Sequence, residues 1–269
     1  MKSALVNNSS PILYLPHGGG PLPLLGDVGH QEMVDFLITI TPSLGRPAAI
    51  VVISAHWEES QVSITGGEMP PLIYDYYGFP DEAYEIEYPA PGQPELAQRI
   101  YRLLQGNGVD ARLDNKRGFD HGVFVPLKIM FPEADIPCVQ VSLLNGLDPQ
   151  SHIQIGKALS DLRDENVLII GSGLSFHNMR AFSRPGDAPD EKNEGFERWL
   201  IDVCTGDAIT AKQREQNLVS WVDAPFARYC HPREEHLLPL HVCYGCSDSA
   251  AKLVFDGCVL GKRTSAYLW

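Results

Sequence analysis

The stretch from Ala48 to Trp57 reads Ala-Ala-Ile-Val-Val-Ile-Ser-Ala-His-Trp and is the most apolar of the strand-like runs in the chain. A short apolar run rich in β-branched residues is typical of a strand buried on both faces of a sheet. Three further runs have the same character and lie at Ile12–Leu15, Ile136–Leu143 and Val167–Gly171. Because amphipathic stretches separate these runs, the sequence predicts an α/β fold with a central, mostly parallel or mixed sheet flanked by helices.

The amphipathic stretches have a helical period and lie at Pro94–Leu104, Ser151–Arg163 and Glu194–Cys204. The first begins with proline and glutamate and stops before a glycine, as helices often do. The second is expected to begin at a capping serine, Ser151. Near the C-terminus, Asp256-Gly257 is a hairpin signal, which predicts paired strands at Leu253–Phe255 and Cys258–Leu260.

The composition is that of an ordinary globular protein, with 44% apolar and 20% charged residues. A chain of 269 residues can bury a large core, and no linker is evident, so we expect a single domain over 1–269. The formal net charge of −13 argues against nucleic acid or an anionic membrane as a partner. No apolar run has the length of a transmembrane span, and the N-terminus lacks the order of a signal peptide.

The six cysteines are scattered, and most have apolar surroundings. Cys243 and Cys246 form the only close pair, which is a weak signal because a zinc site would need a second pair. We interpret the cysteines as buried, reduced thiols, which favours a cytoplasmic protein.

The histidines are the residues most informative about function. The chain has nine histidines, and three of them lie at the ends of apolar runs, in Leu15-Pro16-His17, Ser54-Ala55-His56 and Ser175-Phe176-His177. Two others lie in Asp120-His121-Gly122 and Glu234-Glu235-His236. Ligands of α/β proteins gather where sheet strands end. Imidazole is the commonest metal ligand and the usual general base near neutral pH. The pattern therefore predicts a metal site at the strand ends, with an acid/base histidine beside it.

Taken singly, His17 and His56 would each more often be structural histidines, but two of them at strand ends favour metal ligands. A turn around His121 is expected to present its imidazole edge-on to a substrate. The remaining histidines that lack such a setting are interpreted as surface or packing residues, namely His30, His152 and His241.

His231 and His236 are five residues apart, which is about 140° on a helix, so a regular helix does not direct both at one ion. Pro232 is expected in the first turn of that helix, which makes His236 the inward-facing member, and Pro239 is expected to kink it. Two interpretations of Glu235 stay open. It complements the positive N-terminus of the helix, as Glu234 would, or it supplies a carboxylate ligand.

The segment Gly66–Gly92 is rich in proline, glycine, tyrosine and acids, with an aromatic centre from Tyr74 to Phe79. A connection of this length is uncommon unless it has a function. Two interpretations stay open, a lid over a site and a surface loop packed by its own tyrosines.

Five motifs in this order resemble the DOPA-dioxygenase type of class III extradiol ring-cleavage dioxygenases. They are strand-His17-Gly18, Ser54-Ala55-His56-Trp57, Gly118-Phe119-Asp120-His121-Gly122, His177-Asn178 and Glu235-His236-x-x-Pro239-Leu240. The resemblance covers nearly the whole chain and includes Tyr88-Pro89-Ala90-Pro91-Gly92 and Phe131-Pro132-x-Ala134-Asp135-Ile136-Pro137.

The resemblance implies a single α/β catalytic domain and one metal ion bound by His17, His56 and His236. Fe(II) is the implied metal for activity. More distant ring-cleavage enzymes bind iron with two histidines and a glutamate, so a site of three histidines departs from that pattern. Three neutral imidazoles also suit Zn(II), which is therefore the alternative metal and could be the ion present in the isolated protein.

The resemblance also implies that His177 is the acid/base residue and that His121 contacts the substrate. Asp120, beside His121, and Tyr74, in the aromatic loop, are the other implied substrate contacts. The implied substrates are a small DOPA-like catechol and O2, and both oxygen atoms enter the ring-opened product. His231 matches a variable position and is given only an indirect supporting role.

Two other functions stay open at this point. A zinc hydrolase would use the same histidines with a metal-bound hydroxide. A non-catalytic relative would keep the fold as an interaction module, although such a relative is expected to lose site histidines. The sequence leaves open the oligomeric state, the particular catechol and the carbon–carbon bond that is opened.

Overall fold

The computed structural model describes residues 9–182 and 188–269. The strands are β1 (Ile12–Pro16), β2 (Ala49–Glu59), β3 (Val62–Thr65), β4 (Ala111–Asp114), β5 (Cys138–Leu144), β6 (Val167–Gly173), β7 (Lys252–Val259) and β8 (Lys262–Leu268). The α-helices are α1 (Gln31–Ile40), α2 (Pro94–Gly106), α3 (His121–Met130), α4 (Pro149–Leu159), α5 (Glu191–Thr205), α6 (Ala211–Val219), α7 (Ala227–Cys230) and α8 (Leu238–Ser247).

The eight strands form one sheet in the order β4-β3-β5-β2-β6-β1-β8-β7. The four central strands, β5, β2, β6 and β1, are parallel. On either side of them, β3 pairs antiparallel with β5, and β8 pairs antiparallel with β1. The predicted α/β fold with a mixed sheet is therefore confirmed, and the carboxyl ends of the central strands lie together at one edge.

Alternate residues of each central strand enter two different hydrophobic clusters, one on each face of the sheet. In β1, Tyr14 belongs to the cluster covered by α2, α4, α5 and α8, while Leu15 belongs to the cluster covered by α1 and α3. Every residue of β1 and β6 is buried. This two-sided burial explains why the strands are continuous apolar runs in the sequence.

Two predicted helix starts are wrong. Helix α4 begins at Pro149, and its cap is Asp148, whose carboxylate accepts hydrogen bonds from the backbone N–H and hydroxyl of Ser151. Helix α5 begins at Glu191, because Asp190 caps it by accepting two N–H groups of its first turn. In both helices an aspartate upstream of the predicted start satisfies the first free N–H groups.

The predicted turn of the terminal hairpin is also wrong. Asp256-Gly257 lies within β7 and pairs with Ser265 and Thr264. The chain turns at Leu260 and Gly261, whose φ angles are 50° and 71°. A two-residue hairpin of this kind needs positive φ at both positions, and a leucine gives no sequence signal for it.

The helix predicted to begin at Pro232 does not form. Residues 231–237 lie in turns and bends, and α8 begins at Leu238. Pro239 occupies the first turn of α8, where the missing N–H of proline and its fixed φ favour a helix start, so the predicted kink is wrong as well. His231 and His236 therefore do not lie on one helix, and the predicted separation of about 140° between them does not apply.

Among the described residues, no helix combines the length and apolarity needed to cross a membrane. All six cysteines are free, and five of them are buried. Cys258 is exposed, which departs from the expectation of buried thiols.

Candidate metal centre

His17, His56 and His236 converge at the carboxyl ends of the central strands. Their ring centroids are 4.9 Å apart for His17 and His56, 5.2 Å for His17 and His236, and 4.9 Å for His56 and His236. One possible ligand nitrogen from each of the three lies within 4.8 Å of the others. The structure thus brings together the three residues predicted as ligands.

A sharp turn directs His17 into the site. His17 follows β1, and the next residue, Gly18, has a φ of +84°. A Cβ added to Gly18 would lie 2.6 Å from the Pro23 side chain and 2.9 Å from that of His30. The His30 imidazole accepts a hydrogen bond from the Gly19 N–H at 2.9 Å. Glycine is needed here because both the backbone angle and the available space exclude a side chain.

The sequence predicts His56 at the end of its strand, but the structure places it within β2. The register of β2 with β5 shifts between Ile53 and Glu58, so the strand is irregular where His56 enters the site. Within this irregularity the Ser54 hydroxyl accepts the His56 N–H at 3.2 Å and donates to Asp120 at 2.7 Å. These bonds fix the local backbone and hence the direction of the imidazole.

The hydrogen bonds of Ser172 define the tautomer of His17. The Ser172 hydroxyl donates its proton to the Gly122 carbonyl and lies 2.9 Å from Nδ1 of His17. Because its single proton is already donated, Ser172 accepts from His17, whose proton is therefore on Nδ1. Nε2 is then the acceptor nitrogen of His17, and it lies within hydrogen-bond distance of Nε2 of His56, at 3.1 Å.

Burial keeps the three histidines neutral. It lowers the pKa of His17 and of His236 well below the ordinary value, and the neighbouring imidazoles lower both further. Burial also lowers the pKa of His56 to about 3, with His121 acting in the same direction. Neutral imidazole is the form that binds metal ions.

Glu235 connects His236 to His177. Its Oε1 lies 3.0 Å from Nδ1 of His236 and 3.0 Å from Nδ1 of His177. The two rings stack with centroids 3.4 Å apart and planes 19° apart. Arg233 orients the carboxylate from the far side, at 3.4 Å, and pairs in turn with Glu58.

Asp75 makes a similar connection between His56 and His121. Its Oδ1 accepts hydrogen bonds from Nδ1 of His121 at 2.7 Å and from the His121 backbone N–H at 3.0 Å. Its Oδ2 lies 3.6 Å from Nδ1 of His56. The ring centroids of His56 and His121 are 3.9 Å apart.

The donor set fits a first-row divalent metal ion. Nitrogen ligands bind such an ion at about 2.0–2.1 Å, so two of them meeting near a right angle are about 3 Å apart, close to the Nε2 separation of His17 and His56. Metal-binding histidines usually direct the other ring N–H at a carboxylate or a protein oxygen. Ser172, Asp75 and Glu235 occupy these positions beside the three rings.

The histidines open onto a cavity of about 420 Å³. His56, His121, His177 and His236 line it together with Tyr76, Tyr77, Phe79, Leu22, Leu174, Met179, Phe182 and Leu260. Most of this wall is apolar, which suits one aromatic ring with a few polar groups.

The long loop contributes one wall of this cavity. Its tyrosines also pack on the loop itself, since Tyr76 donates to the Ala83 carbonyl and Tyr74 to the Ile86 carbonyl. The loop therefore has the features of both interpretations left open by the sequence: it covers the site, as a lid would, and its own tyrosines pack against it.

Two of the predicted substrate contacts do not line the cavity. Asp120 is fully buried and accepts hydrogen bonds from Ser54, Gln140 and Arg117. Burial raises the pKa of its carboxyl group. Tyr74 lies behind Tyr76, with its hydroxyl bound to the loop backbone. Their partners direct both side chains away from the space that a substrate would occupy.

His231 is directed away from the metal centre. It is fully buried, its Nε2 donates to the Ser175 carbonyl at 2.6 Å, and its ring contacts Phe196 and Trp221. The three histidines interpreted as surface or packing residues are all fully buried and hydrogen-bonded, so they are packing residues: His30, His152 and His241.

Asp75 and Glu235 are the site residues that the sequence did not assign. Glu235 directly precedes a predicted ligand, and the sequence indicates for it only a helix-end charge or a ligand role. Asp75 lies in the aromatic stretch Tyr74–Phe79, but it is 46 residues before His121, and no local pattern links the two.

Comparison with known proteins agrees with this geometry. A family model described as the catalytic LigB subunit of aromatic ring-opening dioxygenase matches residues 23–260. The chain belongs to the class III extradiol dioxygenase family. The family resemblance predicted from the five motifs is thereby confirmed.

Individual relatives of this extradiol dioxygenase family member cover most of its length. It is 41% identical to the dioxygenase tasH of Hapsidospora irregularis, over 97% of this chain and 85% of the relative. It is 41% identical to a 4,5-DOPA dioxygenase extradiol of Beta vulgaris, over 78% of each chain. A crystal structure of an uncharacterized protein from Escherichia coli K12 superimposes with a TM-score of 0.79 at 31% identity, over 96% of this chain and 99% of that one.

Proposed function

We propose that residues 1–269 form one catalytic domain that opens the aromatic ring of a DOPA-like catechol with O2, outside the two hydroxyl-bearing carbons. The metal ligands in this proposal are His17, His56 and His236. One observation carries it: the three histidines converge beside an apolar, aromatic-walled cavity that is lined by His56 and His236 and by two further imidazoles, His121 and His177. Relatives named 4,5-DOPA dioxygenase support a catechol of this type as substrate.

The proposed metal for activity is Fe(II). Zn(II) is the alternative, including as the ion in the protein as isolated. When bound, iron would supply a Lewis-acidic, redox-active centre for the catechol oxygens and dioxygen. The burial of the three imidazoles supports this role, since neutral ligands need not lose a proton when a metal binds.

His177 is the proposed acid/base residue. Because a carboxylate only accepts hydrogen bonds, Glu235 favours the His177 tautomer with its proton on Nδ1, in which Nε2 is the acceptor. His177 lines the cavity and is 19% exposed, so a bound catechol can reach it. An acceptor at this position can take a phenolic proton and later return it.

His121 is the proposed substrate contact. Asp75 holds the proton of its imidazole on Nδ1, so Nε2 can accept a hydrogen bond from a catechol hydroxyl. Its ring lies against Tyr76, with centroids 5.9 Å apart, at the junction of the aromatic wall and the histidines. This position supports binding of the diol end of a catechol. For Asp120 we propose only that it holds Ser54 and thereby His56.

Partners other than small molecules are not proposed. The net charge of −13 disfavours nucleic acid and anionic membranes, and a cytoplasmic location remains our expectation. A catechol and O2 are the proposed partners, and the apolar, aromatic wall of the cavity supports an aromatic substrate.

An oxygen-electrode screen tests the proposed function. Protein reconstituted anaerobically with Fe(II) should consume O2 on addition of DOPA or another substituted catechol, with loss of the catechol absorbance. The His236→Ala protein treated in the same way is the control and should show no uptake. If iron-loaded protein consumes no O2 with any catechol, while zinc-loaded protein hydrolyses an ester or amide, the dioxygenase proposal is wrong and the hydrolase alternative is correct.

A further inference from the structure

We propose that Asp75 and Glu235 are positioning residues, each of which orients one metal ligand and one proton-handling histidine at the same time. The proposal rests on the proposed function in taking His56 and His236 as ligands and His121 and His177 as the groups that meet the substrate.

The Glu235 contacts show how one carboxylate can serve two rings. A single oxygen, Oε1, lies 3.0 Å from the Nδ1 atoms of both His177 and His236. This geometry favours an Nδ1–H on both imidazoles, and in a neutral ring Nε2 is then the acceptor nitrogen. The side chain is 13% exposed, and the Arg233–Glu58 pair restricts it from the solvent side. Glu235 thus fixes the tautomers of a ligand and of the proposed acid/base residue together.

Asp75 repeats this layout at another corner of the histidine triangle. Its Oδ1 accepts two hydrogen bonds from His121, and its Oδ2 lies 3.6 Å from Nδ1 of His56. In both units a carboxylate lies beside one ligand and one non-ligand histidine whose rings are in contact, at 3.9 Å for His56 and His121. Two acidic residues that each lie beside one ligand and one non-ligand histidine indicate a common role, and Glu235 makes the closer contact with its ligand, at 3.0 Å against 3.6 Å for Asp75.

The two carboxylates differ in one respect that a kinetic experiment can resolve. Asp75 belongs to the aromatic loop, whose Tyr76 and Phe79 line the cavity, so its bonds to His121 also hold that wall in place. Glu235 belongs to the segment before α8, which contributes no aromatic wall. Loss of Asp75 should therefore affect substrate binding, and loss of Glu235 should not.

The experiment uses the isosteric variants Glu235→Gln and Asp75→Asn of the full chain. Glu234→Gln and Asp81→Asn are matched controls, because Glu234 pairs with Arg228 and Asp81 is an exposed residue of the same loop. Three properties are measured: the ¹⁵N shifts of the histidine rings in metal-free protein, the Fe(II) affinity by chelator competition, and kcat and KM at saturating iron.

In wild-type protein the ¹⁵N spectra should show the Nδ1–H tautomer for both His177 and His236. Glu235→Gln should lower Fe(II) affinity about tenfold to a hundredfold and, at saturating iron, lower kcat about tenfold or more with little change in KM. Asp75→Asn should lower Fe(II) affinity and raise KM as well. Both controls should match the wild type.

Three results would overturn the proposal. One is a wild-type spectrum with His177 or His236 protonated on Nε2, which needs no variant. The second is a Glu235→Gln protein whose Fe(II) affinity equals that of Glu234→Gln. The third is a Glu235→Gln protein that has a lower Fe(II) affinity but keeps the wild-type kcat at saturating iron. The tautomers and affinities do not depend on turnover. Absent oxygen uptake in the wild type would therefore reject the proposed function without deciding this proposal.

Discussion

His177 and His236 lie face to face, with ring centroids 3.4 Å apart, and both direct Nδ1 at the same carboxylate oxygen of Glu235. The two rings nevertheless differ in exposure, since the side chain of His177 is 19% exposed and that of His236 is 5% exposed. His236 forms a triangle with His17 and His56, whereas His177 lines the cavity outside that triangle. This difference leads to opposite expectations for substitutions at the two positions.

Replacing the acid/base candidate should separate turnover from metal retention. We expect His177→Asn to lower kcat about a hundredfold to ten-thousandfold, because the proton acceptor at the cavity edge is lost. The Fe(II) content per chain should remain near that of the wild type. Steady-state oxygen uptake and metal analysis of the same preparation check both expectations. Wild-type turnover in this variant would show that His177 handles no proton in the reaction.

Replacing a proposed ligand should remove the metal. His17→Ala, His56→Ala and His236→Ala should each lose bound iron, because the remaining two imidazoles make a far weaker site. His152→Gln is the matched control, since His152 is fully buried, as His17 is, but bonds to the Leu144 N–H outside the site. Metal content after gel filtration is the measurement. Full iron content in any of the three alanine variants would remove that residue from the ligand set.

The contact between α4 and α8 should tolerate no added methyl group. A Cβ on Gly156 would collide with the Val242 carbonyl oxygen and lie 2.8 Å from the Gly245 Cα. We expect Gly156→Ala to lower the free energy of unfolding by about 1–3 kcal/mol or more, as overpacking does. Gly106→Ala is the control, because open space surrounds Gly106 and alanine favours the helix. Urea denaturation compares the two, and equal stabilities would contradict the close packing.

Glu197 should make the stability fall as pH rises. Burial raises the pKa of its carboxyl group from the ordinary value to about 7, and its Oε1 has no hydrogen-bond partner. The folded state therefore binds the proton more tightly than the unfolded chain, whose carboxyl has a pKa of about 4.3. Stability is fully present below that value and decreases as pH rises through about 7, by about 4 kcal/mol for this shift.

The variant Glu197→Gln keeps the shape of the side chain and removes its charge. It should match the wild type in unfolding free energy near pH 4 and exceed it above pH 7, as measured by chemical denaturation. Glu191→Gln, an exposed residue of the same helix, should show no such difference. A Glu197→Gln protein that gains no stability above pH 7 would show that the buried carboxyl is not strained by its charge.

The parts that were predictable from the sequence are those with local signals. The central strands were predictable because burial on both faces makes continuous apolar runs, as in β1 and β6. His17 was identified because a strand and a glycine run frame it. The hairpin turn was not, because Leu260 adopts a positive φ that its residue type disfavours and only the strand pairing imposes.

The missed parts of the site depend on contacts between distant segments. The aromatic loop supplies Asp75, and only the folded chain places it beside His121. The resemblance implies Asp120 as a substrate contact, and Asp120 adjoins His121 in sequence. At the start of α3, however, its carboxylate lies among Ser54, Gln140 and Arg117, so adjacency along the chain does not mean adjacency in the cavity.

Titration of metal-free protein with Fe(II), followed by catechol-dependent oxygen uptake, tests the central claim most directly. If one ion held by His17, His56 and His236 carries the activity, the rate should rise linearly with added iron and level off at one iron per chain. The His17→Ala protein should stay inactive throughout the titration. A rate that does not depend on bound iron, or an active His17→Ala protein, would contradict the account.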